Sequence, residues 1–303
     1  MSSQYLRVNV APGREPRRSG LLEQLLARAD SRASMTDWRS EAFSVMAPTT
    51  TPMPAIAATA LCADRGAVAA AWVCLATPVH YIAEMSSVRL AGDGILTLSP
   101  LHAEALAVDF NRVWQGAGIA LTVARSGQLL CLFDRPVVAA TRDPHEALGQ
   151  SIEEYLPTGA GSAPLRQLIS ETEMWLFEHG VNDARGKSAQ AVVNGLWFWG
   201  GGAPLAALPA VRGWVGGDDV FFNAFGARTD AGLGSGVVAV DGAPGSAAWQ
   251  EIESRWLRPA IAQLHSGELS RLEISIENWR FTLNSRTLRR FWRRRKPWWE
   301  FLA

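Results

Sequence analysis

The stretch Gly195-Leu196-Trp197-Phe198-Trp199-Gly200-Gly201-Gly202 decides how the chain is read. An uninterrupted apolar run of this length between glycines predicts a strand buried on both faces. The three glycines at its end admit two readings. They let a backbone approach an anionic ligand in the crevice beyond a strand's carboxyl end, or they form a tight turn beneath bulky tryptophan neighbours.

Upstream of the run, Leu165, Leu168, Ile169, Thr172, Trp175 and Leu176 recur at helical spacing, with Ser162 as the capping residue. Earlier still, Leu22, Leu25 and Leu26 mark a helix within 21–29, and Ser99-Pro100 opens another that Gly116 or Gly118 closes. Strands are expected at 70–75, 119–124 and 128–133, the last two joined by Arg125-Ser126-Gly127. A hairpin is expected around Ala91-Gly92-Asp93-Gly94. Downstream, strands are expected at 220–225, 237–240 and 272–276, and a helix over 247–265. Helices and strands mixed with hairpins predict an α/β or α+β fold, a mixed sheet with flanking helices in two lobes around one cleft. The expected division is a flexible arm over 1–20, an N-terminal lobe over 21–160 and a C-terminal lobe over 161–303.

The 303 residues are 48% apolar, with 13 tryptophans, enough to build a core. Acidic and basic residues balance at 29 each, which excludes a molecule-wide basic field. The balance is local, however: seven cations fall within 286–296 and leave the remainder net negative. Cys62, Cys74 and Cys131 are unpaired by spacing and sit in apolar stretches, as in a reducing compartment. With no signal-peptide core and no membrane-length apolar run, a cytoplasmic location without a transmembrane segment is expected.

The chemical motifs are incomplete. Gly186-Lys187-Ser188 ends like a phosphate-binding loop, but five residues separate Gly180 from Gly186 where four are needed, and the flanking elements come in the reverse order. The five histidines are scattered and the cysteines unpaired, so neither a metal site nor a cofactor is expected. No serine lies in a nucleophile-elbow frame, and no catalytic residue is assigned. Asp218-Asp219 is read as a turn or a cation site. His179 is read as a packed histidine or a base, and His80 as structural or as lining the same cleft. In the C-terminal segment Leu288, Phe291 and Trp292 form one face of an expected basic helix, opposite Arg289, Arg290, Arg293 and Arg294. With Arg295 these make a surface for a nucleic-acid backbone or an anionic membrane, or else a helix anchored by its aromatic face.

The residues Glu178-His179-Gly180-Val181-Asn182-Asp183-Ala184-Arg185, followed by Asn194 through Gly202, resemble the RpfE-type regulatory proteins of proteobacteria. Thr36-Asp37-Trp38-Arg39 through Pro48, Pro78-Val79-His80 and Phe291-Trp292-Arg293-Arg294 match more weakly. The block is also similar to part of the archaeal-type cofactor-independent phosphoglycerate mutases. There it belongs to a domain inserted in an alkaline-phosphatase-like core that supplies a nucleophile and the Asp and His ligands of two metals. This sequence lacks the Asp-Gly strand end and the His-rich cluster of that core. Gly180 replaces the usual proline, and Trp199 stands where the mutases tend to have an arginine. The resemblance implies a non-catalytic ligand-binding or regulatory protein, with a mutase-like phosphotransferase and a nucleic-acid-associated protein as alternatives. A small phosphorylated or anionic ligand would contact His80, His179, Asn182, Arg185, Asn194, Gly200, Gly201 and Gly202. Another protein is a further expected partner.

Overall fold

A computed structural model describes residues 2–9, 17–34, 37–47, 51–226, 235–241 and 247–302. Its architecture is mixed α+β, with helices accompanying two sheets. Contacts divide the chain into two units, one made of Met1–Val10, Glu15–Met53 and Pro209–Ala303, the other of Ala11–Arg14 and Pro54–Leu208. This differs from the linear split near residue 160 expected from the sequence, because the first and last parts of the chain share one sheet.

In that first unit, numbering elements along the whole chain, the strands are β1 (Ser2–Asn9), β2 (Asp30–Ala33), β8 (Trp214–Gly217), β9 (Gly236–Asp241), β10 (Leu269–Ile276) and β11 (Trp279–Leu283). The helices are α1 (Gly20–Arg28), α2 (Trp38–Met46), α7 (Val220–Asn223), α8 (Ala247–Ile252) and α9 (Arg258–Ser266). The sheet order is β2-β11-β10-β1-β9-β8, with β1 parallel to both β9 and β10. Residues 2–9, expected in a flexible arm, are therefore a central strand. No local signal marks them, since their partners lie more than 200 residues away. Residues 10–16 of that arm lie outside the described residues, as do Thr36 and Pro48.

Helix α1 packs Leu22, Leu25 and Leu26 against Trp249, Leu264 and Phe281, each leucine contributing roughly 1.5–3 kcal/mol through its burial. Residues 220–225, expected as a strand, begin with helix α7. Asp219 caps it by accepting from the amides of Phe221 and Phe222, and this overrides the β-propensity of the aromatics. The helix expected over 247–265 is interrupted by a π turn at Glu253–Leu257 just before Pro259, which lacks the amide hydrogen a regular turn would use.

The second unit contains α3 (Ile56–Arg65), β3 (Trp72–Ala83), β4 (Val88–Ile95), α4 (Pro100–Val113), β5 (Ile119–Val123), β6 (Leu129–Phe133), α5 (Ser162–Phe177), α6 (Gly180–Lys187) and β7 (Gly195–Gly202). Strand β3 is its spine: residues 72–75 pair with β6, 73–79 with β7 and 79–83 with β4, all antiparallel. The hairpin expected around Ala91–Gly94 is instead an irregularity within β4. Leu90 pairs with Tyr81 and Ile95 with Val79, so the intervening residues bulge out. Gly94 is needed there, because a Cβ would lie 2.7 Å from the His80 carbonyl oxygen. The expected capping by Ser99 holds, with its Oγ accepting from His102 N at 3.2 Å. The hairpin of β5 and β6 holds as well.

Cys62, Cys74 and Cys131 are free and buried. Among the described residues no helix is long and apolar enough to cross a membrane.

Candidate functional site

The three glycines after Trp199 do not form a turn; they continue β7. Leu75 pairs with Trp199 and Val73 with Gly202, so β7 carries one residue more than β3 over this interval. Gly200 absorbs that bulge with φ +63°, a left-handed conformation natural to glycine. The space beside the glycines is occupied. A Cβ on Gly201 would meet the Trp72 ring at 1.9 Å, and one on Gly202 would meet the Ala55 Cβ at 2.4 Å. At the other end of β7, Tyr81 covers Gly195 at 2.2 Å from the same hypothetical atom. Trp197 and Trp199 are buried, and their indole nitrogens donate to the Arg142 carbonyl and to Thr77 Oγ1, both at 2.8 Å.

The polar side chains of the block converge on its backbone. Between α6 and β7 the chain has no regular structure, so its peptide groups need partners from elsewhere. Three successive carbonyls are met by three side chains. Arg185 Nε donates to Ala191 O at 2.7 Å, His80 Nδ1 to Val192 O at 3.0 Å and Asn182 Nδ2 to Val193 O at 2.9 Å. Asn182 also donates to Leu176 O at 2.9 Å and accepts from Val193 N at 2.8 Å. Arg185 reaches Thr97 O at 3.4 Å, and burial lowers its pKa. Asn194 mimics a strand residue: its Oδ1 accepts from Tyr81 N at 2.7 Å while its Nδ2 donates to Tyr81 O at 2.9 Å.

His179 is not a continuation of the α5 stripe; it caps α6. Its Nδ1 accepts from Val181 N at 3.2 Å, so the proton sits on Nε2. That Nε2 lies 3.2 Å from Asp109 Oδ2 but outside hydrogen-bond geometry, and the ring meets Trp175 edge to face. Burial lowers the His179 pKa first, and the Arg112 cation adds to it. Asp109 does not reverse this, since Arg112 also pairs with it. Protonating Nδ1 would moreover remove the cap and place a positive charge at a helix N-terminus.

Sequence reasoning missed Trp72, Tyr81 and Asp109. Each lies about 70 residues or more from the group it meets, so no local spacing reveals it. Gly186, Lys187 and Ser188, which look like the end of a phosphate loop, close the short helix α6. Asp219 is committed to Arg39, whose Nη2 lies 2.9 Å away with both side chains buried.

The basic segment is not a helix. A 3₁₀ turn spans Thr287–Arg289, and the chain then runs irregularly to Pro297. Asn284 starts the turn by accepting from Arg286 N and Thr287 N. Clustered like charges and the proline disfavour its extension. Leu288 is buried, whereas Phe291 and Trp292 are 79% and 69% exposed, so these two do not serve as an anchor. Arg290 pairs with Asp30 and holds that carboxyl below its usual range. Arg293 donates to Ala29 O at 2.9 Å and Arg295 to Gln24 Oε1 at 3.1 Å. Arg289 and Arg294 are exposed and meet no carboxylate among the described residues.

No family model matches the chain. Part of it is 37% identical, over 65 residues, to a probable 2,3-bisphosphoglycerate-independent phosphoglycerate mutase of Geobacter sulfurreducens. That match covers 21% of this chain and 16% of the mutase. A mutase of the same name from Methanosarcina barkeri is 35% identical over 66 residues, 22% of this chain and 17% of that protein. One from Methanothrix thermoacetophila is 28% identical over 141 residues, 45% of this chain and 34% of the relative. The first of these matches thus span about a sixth of the length of the curated relatives. Among solved structures, a cofactor-independent phosphoglycerate mutase of Thermoplasma acidophilum aligns at TM-score 0.36 and 12% identity, covering 94% of this chain and 90% of that one. A protein from Pyrococcus horikoshii aligns at TM-score 0.37 and 9% identity, covering 93% and 87%. Segments of the chain are therefore similar to phosphoglycerate mutases.

Proposed function

We propose that this chain is a non-catalytic binding protein of regulatory type, resembling the RpfE-type proteins, in which the mutase-like block serves as architecture. One observation carries the reading: Asn182, Arg185 and Asn194 direct their polar atoms at backbone groups of the protein, in the segment before β7, at the end of α5 and on β3. A grip on a phosphorylated metabolite would require those donors to face a ligand. In this reading His80 and His179 complete the same latch, and Gly200, Gly201 and Gly202 provide room for packing.

The test is turnover of 3-phosphoglycerate to 2-phosphoglycerate by the pure protein with added Mn²⁺. No turnover is expected, and substituting Asn182 or Arg185 should lower thermal stability. Turnover abolished by His179→Ala in a protein that remains folded would overturn the reading. It would instead support a mutase-like phosphotransferase, the alternative favoured by the partial sequence matches.

A further inference from the structure

We propose that the segment 288–295, with the groove it borders, is a binding site for single-stranded nucleic acid. The groove has a volume of about 380 Å³ and lies between α1, α9 and Leu288. Leu21, Leu25, Ile261, Ala262 and Leu288 give it an apolar lining, to which Arg28, Arg258 and His265 add cationic or titratable groups. The basic segment begins on this lining at Leu288 and returns to it where Arg295 bonds Gln24, another groove residue. Between those points stand Phe291 and Trp292, with their ring centroids 5.4 Å apart in edge-to-face contact.

Three properties fit this partner. First, the arginines hold the segment in place largely through neutral groups. Arg290 reaches Arg28 O and Arg293 reaches Ala29 O, carbonyls left open at the end of α1. Those contacts do not neutralise the guanidinium charge. Among the described residues Arg290 alone of these arginines pairs with a carboxylate, and Arg289 and Arg294 remain available to phosphates. Second, two large aromatic side chains stay exposed beside this charge although burying them would be favourable. Exposed aromatics interleaved with cations match a strand that alternates phosphates with flat bases. Third, the adjoining surface is concave. A base can enter a groove with apolar lining, whereas a bilayer surface would meet only its rim.

The inference is independent of whether the 178–202 block has any activity. Its test is fluorescence anisotropy of a labelled oligothymidylate against the whole protein, beside a strand of the same length made of abasic sites. The thymidylate strand should bind at low salt, with log affinity falling linearly as log salt rises. The double variant Phe291→Ala/Trp292→Ala should bind it roughly tenfold or more weakly at an unchanged salt slope, while its affinity for the abasic strand stays the same. Arg289→Gln/Arg294→Gln should lower the slope by about one to two. All four side chains are exposed, and a melting curve unchanged from the parent confirms folding. Absence of binding at low salt would overturn the proposal, as would equal losses on both strands in the aromatic variant. Sedimentation with phosphatidylserine vesicles that needs Phe291 and Trp292, without oligonucleotide binding, would overturn it in favour of a membrane surface.

Discussion

Asn182 is the position at which architecture and ligand binding make opposite predictions. Its amide makes three hydrogen bonds, donating to Leu176 O and Val193 O and accepting from Val193 N. Together they tie the end of α5 to the irregular segment before β7. Asn182→Ala removes all three and takes away the partners of Val193 N and O, while Leu176 O keeps the His179 amide. At about 0.5–1.5 kcal/mol for each bond, the loss is about 2–4 kcal/mol. For a unit of this size, where 1 kcal/mol moves the midpoint by about 2–4 °C, Tm should fall by roughly 5–15 °C. Asn182→Asp is the sharper variant because it keeps the shape and the acceptor for Val193 N. It turns two donors into an oxygen facing two carbonyls, so it should destabilise at least as much as alanine. Thermal unfolding followed by circular dichroism measures both, and amide exchange at Val193 localises the effect. If both variants melt within about 2 °C of the parent, a shift worth under 1 kcal/mol, the latch interpretation is refuted.

Three further outcomes follow from the same geometry. Gly201→Ala places a Cβ 1.9 Å from the Trp72 ring and should destabilise by about 1–3 kcal/mol or more, measured by urea unfolding. Trp72→Leu should relieve part of that loss in the double variant. Because burial depresses the folded-state pKa of His179, the unfolded chain takes up the proton first as pH falls. The stability that His179 contributes is therefore complete above its ordinary value near 6.5, and it is lost as pH drops through the lower folded-state pKa. Melts from pH 8 to pH 5 should show this decline, and His179→Gln should flatten it. Finally, Arg280 sits half-buried beside Glu41, with Glu273 3.8 Å away. Arg280→Met should cost about 1–3 kcal/mol by removing the cation paired with the half-buried Glu41, which keeps the Ser34 hydroxyl, while Glu273 keeps Arg271, measured by chemical denaturation.

Helices α1, α4 and α5 were legible because each buries a stripe at its own period. Helices α1 and α4 also begin with a serine cap, whereas Ser162, expected to cap α5, bonds Gly159 O and the cap position is Gly161. The β5–β6 hairpin was legible from Gly127 between two apolar runs, and β7 from its uninterrupted aromatics. Where sequence reading failed, either the deciding partner lay elsewhere in the chain or one local bond outweighed propensity. Strand β1 is defined by β9 and β10, α7 by a single Asp219 cap within an aromatic run, and the β4 bulge by the pairing of Tyr81 and Val79. The candidate site was legible as a set of residues but not as a set of roles. His80, His179, Asn182, Arg185 and Asn194 do gather around one segment. A sequence cannot tell an asparagine that binds a ligand from one that replaces a missing strand partner, since both need the same amide. The exposure of Phe291 and Trp292 was equally hidden, because a helix pattern would have turned both inward with Leu288.

The central place of β1 also sets a timetable for synthesis. Both of its neighbours belong to the last third of the chain, roughly 230 and 270 residues behind it. At about 5–20 residues per second, the ribosome releases those strands tens of seconds after the first has emerged. Meanwhile the entire second unit, Pro54–Leu208 in its main part, has appeared and can fold on its own contacts. The amino-terminal strand must therefore wait in the cell with its edges open. A nascent chain stalled before residue 236 should expose residues 2–9 to added protease, and the completed protein should protect them.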